Sequence, residues 1–167
     1  MDLDFLCLAW SLTLSLHPAP TSQLYDLHRK EIIYSLTSHT DTISCLRLSP
    51  SGSHLLSFSL DSTLKVWDVR PFAIASSDVG DDKEERLQGS YTGAVAGTDS
   101  VLIKGGWSRD GKRIVCGSGD RTCVIWDVEL SGKILYKLPG HRGTCTAAAL
   151  HPREPIGESG RTFWGSK

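Results

Sequence analysis

The chain contains no asparagine, so it offers no N-glycosylation acceptor. Its five cysteines (Cys7, Cys45, Cys116, Cys123 and Cys145) are odd in number and include no C-x-x-C pair. That argues against a disulfide framework and a cysteine zinc site, and it suits a reducing compartment. An excess of positive charge is also missing: 18 basic side chains stand against 19 acidic ones. Bulk binding to a phosphate backbone needs a basic stripe, so RNA would be met only indirectly, through protein contacts. No apolar run is long enough to span a bilayer. The longest, Phe5 to Leu16, is preceded by Asp2 and Asp4, and no Lys or Arg occurs before Arg29. A secretory signal needs a basic flank there, so the run reads as a buried strand pair or a segment foreign to the fold. The six histidines form no H-x-x-x-H or H-E-x-x-H motif, and no G-x-S-x-G occurs. Metal binding and nucleophilic catalysis therefore have no sequence support, and no cofactor or small-molecule substrate is expected.

What the chain does contain is an internal repeat, the feature to seek before any other. Leu46–Val69 aligns without a gap on Gly105–Val128 at a separation of 59 residues. Ser49, Gly52, Ser59, Asp61, Thr63, Trp67, Asp68 and Val69 return as Ser108, Gly111, Ser118, Asp120, Thr122, Trp126, Asp127 and Val128. A second separation, of 102 residues, carries Tyr34, Leu36, His39, Leu48 and Pro50 onto Tyr136, Leu138, His141, Leu150 and Pro152. Tyr25-Asp26 takes the place of Trp126-Asp127 after a one-residue slip. The two spacings differ by 43 residues, within the roughly 40–45 of a propeller blade.

Inside each unit, alternating apolar residues and Gly, Ser and Asp turns predict strands. The first unit gives Thr42–Ser49, His54–Ser59 and Thr63–Val69; the second gives Val101–Ser108, Arg113–Ser118 and Thr122–Val128. Glu31–Leu36 and Lys133–Leu138 read as outer strands. Gly117-Ser118-Gly119 is a strand end, because no helix follows to face a phosphate.

These residues resemble the WD40-repeat family, whose unit opens on Gly-His and closes on Trp-Asp with an Asp six residues before the Trp. The matching positions are Gly140-His141, Ser38-His39, Asp61 with Trp67-Asp68, and Asp120 with Trp126-Asp127. The unit ending at Trp126 has no Gly-His. The resemblance implies an all-β, partial propeller of about two full blades plus flanking strands, its ring not closed. It also implies a structural hydrogen-bond network in which His39 links Asp61 to Ser57 or Ser59, which reaches toward Trp67. The isolated chain, with blade faces left open, is expected to be poorly soluble, oligomeric or partly unfolded.

The repeat region runs from 24 to 156, between divergent segments 1–23 and 157–167. Losing the pattern at both ends implies a truncated or mispredicted gene product, and 157–167 is expected to lack a strand. Phe72–Thr98 is an insertion with Asp78, Asp81, Asp82, Glu84 and Glu85, expected as a solvated loop. Ser59–Thr63, Val66–Ala73, Ile134–His141 and His151–Ile156 resemble the spliceosomal branch of the family, that of the U5 small nuclear ribonucleoprotein. This implies a non-enzymatic nuclear scaffold for U5 proteins. Trp67-Asp68-Val69-Arg70 also fits the W-D-x-R box by which some WD40 proteins dock on a cullin-ring ubiquitin ligase adaptor, which makes Arg70 the candidate partner contact.

Overall fold

A computed structural model describes residues 21–26, 28–70, 86–97, 102–129, 132–153 and 157–161. Phe5–Leu16, the acidic cluster of 78–85 and positions 162–167 lie outside the described residues.

The described chain is strand and turn only. Two strands, β1 (Thr21–Asp26) and β2 (Glu31–Thr37), pair with each other. A four-stranded antiparallel sheet follows: β3 (Ile43–Leu48), β4 (His54–Ser59), β5 (Leu64–Asp68) and β6 (Leu87–Tyr91), adjacent in chain order. A second repeats it with β7 (Gly105–Trp107), β8 (Arg113–Gly117), β9 (Thr122–Asp127) and β10 (Ile134–Pro139). Two last strands, β11 (Cys145–Leu150) and β12 (Gly157–Arg161), pair with each other. These are propeller blades, and among the described residues no pairing joins the first sheet to the last to close a ring.

The 59-residue repeat is built into the turns. Gly52 and Gly111 both take the left-handed conformation (φ 73° and 72°), and their N–H groups donate to the Ser49 and Ser108 carbonyls at 2.9 and 3.0 Å. A side chain there would be strained. Ser62 and Arg121, also 59 apart, take φ of 63° and 69° without being glycine. Such a residue costs roughly 1–3 kcal/mol, so something must hold it. The preceding aspartate does: Asp61 Oδ1 accepts the Thr63 N–H at 2.8 Å, and Asp120 Oδ1 accepts that of Thr122 at 3.2 Å.

The core lies between blades. Along a strand, successive side chains face opposite ways, and both faces of the middle strands are buried. Leu55 and Trp67 pack back onto Leu36 of β2. Leu56, Phe58, Leu64 and Val66 pack forward with Ile114, Cys116, Val124 and Trp126 of the next blade. Val115, Cys123 and Ile125 then meet Cys145 and Ala148 of β11. Gly117 belongs to this second contact: a Cβ there would lie 2.2 Å from the Cys145 carbonyl oxygen.

Four boundaries differ from the sequence reading. The supposed insertion 72–98 supplies β6, the fourth strand of the first blade, paired through Leu64–Tyr91 and Val66–Gly89. The tail 157–167 supplies β12. Strand β1 begins at Thr21, inside the segment assigned to a divergent N-terminus. The strand expected over Val101–Ser108 is confined to Gly105–Trp107, where a Cβ on Gly105 would sit 2.7 Å from the Val115 carbonyl oxygen.

Candidate functional site

His39 lies between β2 and β3 and is 4% exposed. A chain of three bonds runs through it across the first full blade. The Trp67 indole N–H donates to Ser57 Oγ at 2.8 Å, Ser57 Oγ lies 2.7 Å from His39 Nε2, and His39 Nδ1 lies 2.9 Å from Asp61 Oδ2. The Asp61 carboxylate can only accept, so the imidazole proton sits on Nδ1 and points at it. Nε2 then accepts the Ser57 hydroxyl hydrogen, and Ser57 Oγ accepts the Trp67 indole N–H. Ser59, the other serine the sequence left open, donates instead to the Asp41 carbonyl at 2.7 Å.

Burial is the largest influence on His39 and lowers its pKa, against an opposing pull from Asp61. Burial alone would raise the Asp61 pKa. The Thr63 hydroxyl, the Thr40 N–H, His39 and the Thr63 N–H outweigh it and take the carboxyl down to about 2. Asp61 is thus the charged end of an otherwise neutral chain.

Ser57, His39 and Asp61 have the connectivity of a hydrolytic triad. The nucleophile position rules out that use, since Ser57 is 0% exposed and its oxygen already accepts the Trp67 indole. A substrate carbonyl has no approach.

The second blade arranges the same positions differently. The 59-residue spacing puts Cys116 where Ser57 stands and Val124 where Lys65 stands. Trp126 is as buried as Trp67, yet its N–H donates to the Thr92 carbonyl at 3.0 Å. Asp120 has no histidine. Burial pushes its pKa up, but Lys137, whose Nζ is 2.6 Å away, and the hydroxyls of Thr122 and Ser118 bring it down to about 2. His141 contributes to neither full blade. It lies between β10 and β11, and its Nε2 is 2.7 Å from Ser159 Oγ of β12, which reproduces the His39–Ser57 contact 102 residues on.

At the end of β5, the Arg70 Nε lies 3.0 Å from each Asp68 carboxylate oxygen, and its terminal nitrogen also bonds Asp68. The Arg70 side chain is 61% exposed while that of Asp68 is 3%. The hydrogen bond from Arg70 is the main cause of the lowered Asp68 pKa. Arg86 closes the corner, with its guanidinium 4.0 Å from the Tyr34 ring centroid and a bond of 2.8 Å to the Arg70 carbonyl. The second blade offers the opposite charge here. Glu129 stands at the equivalent position, paired with Lys112 at 3.0 Å, and Asp127 Oδ1 accepts the Glu129 N–H at 2.9 Å.

Sequence reasoning missed Thr92, Ser159, the Arg86–Tyr34 contact and the neighbouring Cys123 and Cys145 thiols, whose mutual influence pushes Cys123 up and Cys145 down. Only Ser159 carried a signal, since the 102-residue spacing brings Ser57 onto it.

A family model described as "WD domain, G-beta repeat" matches residues 30–68 and 86–127. The chain belongs to the WD40-repeat family. Each match spans one outer strand and the three strands that follow it, β2 to β5 and β6 to β9. Among curated proteins, this WD40 chain is 41% identical over 128 residues to the human U5 small nuclear ribonucleoprotein 40 kDa protein, covering 77% of this chain and 33% of that one. It is 39% identical over 170 residues to the Dictyostelium discoideum protein of the same name (81% and 47%). It is 34% identical over 134 residues to the Schizosaccharomyces pombe pre-mRNA-splicing factor cwf17 (80% and 36%). The chain thus spans about a third of the length of its human relative. A chain in a crystal structure of the mitotic checkpoint complex has the same fold, with a TM-score of 0.67 at 19% identity, covering 86% of this chain and 39% of that one.

Proposed function

We propose that this chain works in pre-mRNA splicing, as a non-catalytic nuclear scaffold that holds protein components of the U5 ribonucleoprotein. The observation that carries the reading is its likeness to the U5 and cwf17 proteins, which runs through both blades. The blade chemistry supports a scaffold. The Ser57–His39–Asp61 chain is spent inside the protein, and the repeated side chains, Trp67, Asp68, Asp120, Trp126, Asp127 and His141 among them, serve to hold strands and blades together. Loops and blade ends on such a rigid frame are where recognition is usually carried. With no basic excess, RNA is reached through bound proteins.

A second reading rests on Arg70, which is exposed yet fixed in direction by Asp68. A charged fork held in this way suits docking to a ligase adaptor through the W-D-x-R box. Affinity purification of the tagged protein from nuclear extract separates the two. Co-purification of U5 proteins, unchanged by Arg70→Ala, is the expected outcome. Enrichment of a cullin adaptor that Arg70→Ala abolishes, with no splicing protein above background, would overturn the splicing reading.

A further inference from the structure

Two thiols share one gap at the boundary between the second blade and the sheet of β11 and β12. Gly117 of β8 stands directly opposite Cys123 of β9 in their ladder. A Cβ on Gly117 would lie 2.2 Å from the Cys145 carbonyl oxygen and 3.3 Å from its Sγ, so Cys145 fills the space that a side chain at 117 would take. Residues directly opposed in an antiparallel ladder point to the same face, with Cβ atoms about 4.5–5.5 Å apart. The Cys123 side chain therefore stands on the face of Gly117 that Cys145 covers, and the two belong to one buried cluster. The Cys145 N–H donates to the Ser118 carbonyl at 3.1 Å, which holds β11 in place over the end of β8.

The boundary between the two full blades is filled differently. The 59-residue spacing puts Phe58 where Gly117 stands and Leu64 where Cys123 stands, and the two face each other in the same way. A buried ring and a branched chain take the place of the gap and the thiol. Cys45 and Cys116 flank Gly105 at that boundary: the Gly105 N–H lies 3.4 Å from Cys45 Sγ, and a Cβ on Gly105 would be 3.2 Å from Cys116 Sγ. Burial raises both of those thiols and keeps them protonated. Cys145 moves the other way. Its neighbour Cys123 is the largest influence on it and, against burial, takes it down to about 7, while Cys123 is itself raised. At neutral pH the pair therefore offers one thiolate beside one thiol.

We propose that Cys123 and Cys145 form a reversible disulfide, tying the second blade to the sheet of β11 and β12, when the protein meets hydrogen peroxide. The Cys145 thiolate attacks one peroxide oxygen, the O–O bond breaks, and a sulfenic acid and hydroxide result. The Cys123 sulfur then attacks the sulfenic sulfur. An S–S bond forms, the S–O bond breaks, and the departing hydroxide takes the Cys123 proton to become water. The first hydroxide becomes water with the proton that Cys145 gave up on ionising. Two thiols and one peroxide thus give one disulfide and two waters. Cys145 is 0% and Cys123 5% exposed. Local opening admits an oxidant little larger than water and keeps out a bulky one such as oxidised glutathione. A thiol reductant reverses the bond. Such a transient bond suits a reducing compartment, where permanent disulfides are rare.

Brief peroxide treatment of the folded chain, alkylation with N-ethylmaleimide and tryptic mass mapping test this. Trypsin puts Cys45, Cys116, Cys123 and Cys145 in separate peptides. A link between peptides 122–133 and 143–153, cleaved by dithiothreitol, is the expected product. It should form at least about five times faster than any adduct at Cys45 or Cys116, whose thiolate fractions are smaller. Cys145→Ser should leave Cys123 unoxidised, and Cys123→Ser should leave Cys145 as a sulfenic acid that dimedone traps. Should either variant unfold, the mapping of the unaltered chain decides alone. Oxidation of Cys145 to a sulfinic acid without a link, equal reaction at Cys45 or Cys116, or a link that forms no faster in the folded chain than in urea would overturn the proposal.

Discussion

Trp67 and Trp126 close successive blades 59 residues apart, both almost fully buried, and they are held by different means. Trp67 ends a side-chain relay through Ser57 and His39 to a charged aspartate, whereas Trp126 donates to the backbone of Thr92. What the two blades share is a buried indole with one satisfied N–H. The partner is free to vary because an unmet buried donor costs roughly 1–3 kcal/mol whichever acceptor would have met it. The relay adds something the backbone bond does not: it ties β4 and β5 to the segment ahead of β3, which holds His39.

Removing the indoles should have the largest effect and should not distinguish the blades. Trp67→Ala and Trp126→Ala should each destabilise the fold by about 3–5 kcal/mol in urea denaturation, the range for large buried aromatics. An unchanged unfolding midpoint for either would remove that residue from the core. His39→Ala separates the blades. It leaves Ser57 and Asp61 without their buried partner and should cost about 1–3 kcal/mol, with no counterpart to delete beside Trp126.

Acid should act on both blades, at different pH. His39 has a folded pKa below its ordinary 6.5, so its stabilisation is complete above that value and is lost as pH falls through the lowered one. Asp61 and Asp120, both at about 2 in the fold, contribute stability that is complete above 3.8 and lost as pH falls toward 2. Thermal melts should show both declines in the unaltered chain and only the lower one in His39→Ala. A first decline that survives the substitution would assign it to another group. The smallest effect belongs to Lys137→Ala. That pair is partly solvated, so its loss should cost under about 1 kcal/mol and vanish in high salt.

The 59-residue spacing made the middle strands, the two tryptophans and the two aspartate turns legible, because their pattern lies in side chains. The remainder is written in the backbone. β6 contains Gly89 and Ser90 beside an acidic stretch, and it forms a strand by pairing with β5. β12 reads Gly-Glu-Ser-Gly-Arg, a sequence of low β-propensity, and it takes its shape from the ladder to β11. The Thr92 acceptor is a carbonyl and leaves no residue signature at all. Ser57 and Ser59 could not be told apart, since residues two apart on a strand share a face; the position of His39 opposite Ser57 decides between them.

A pair of double-mutant cycles tests most directly whether the indoles are held by different partners. Trp67→Phe combined with Ser57→Ala should show a coupling of about 0.5–1.5 kcal/mol, because both substitutions remove the same bond. Trp126→Phe combined with Cys116→Ala should show a smaller coupling, from packing alone, since that indole donates to the Thr92 carbonyl, which neither change removes. Equal coupling in the two blades, or none in the first, would contradict the account.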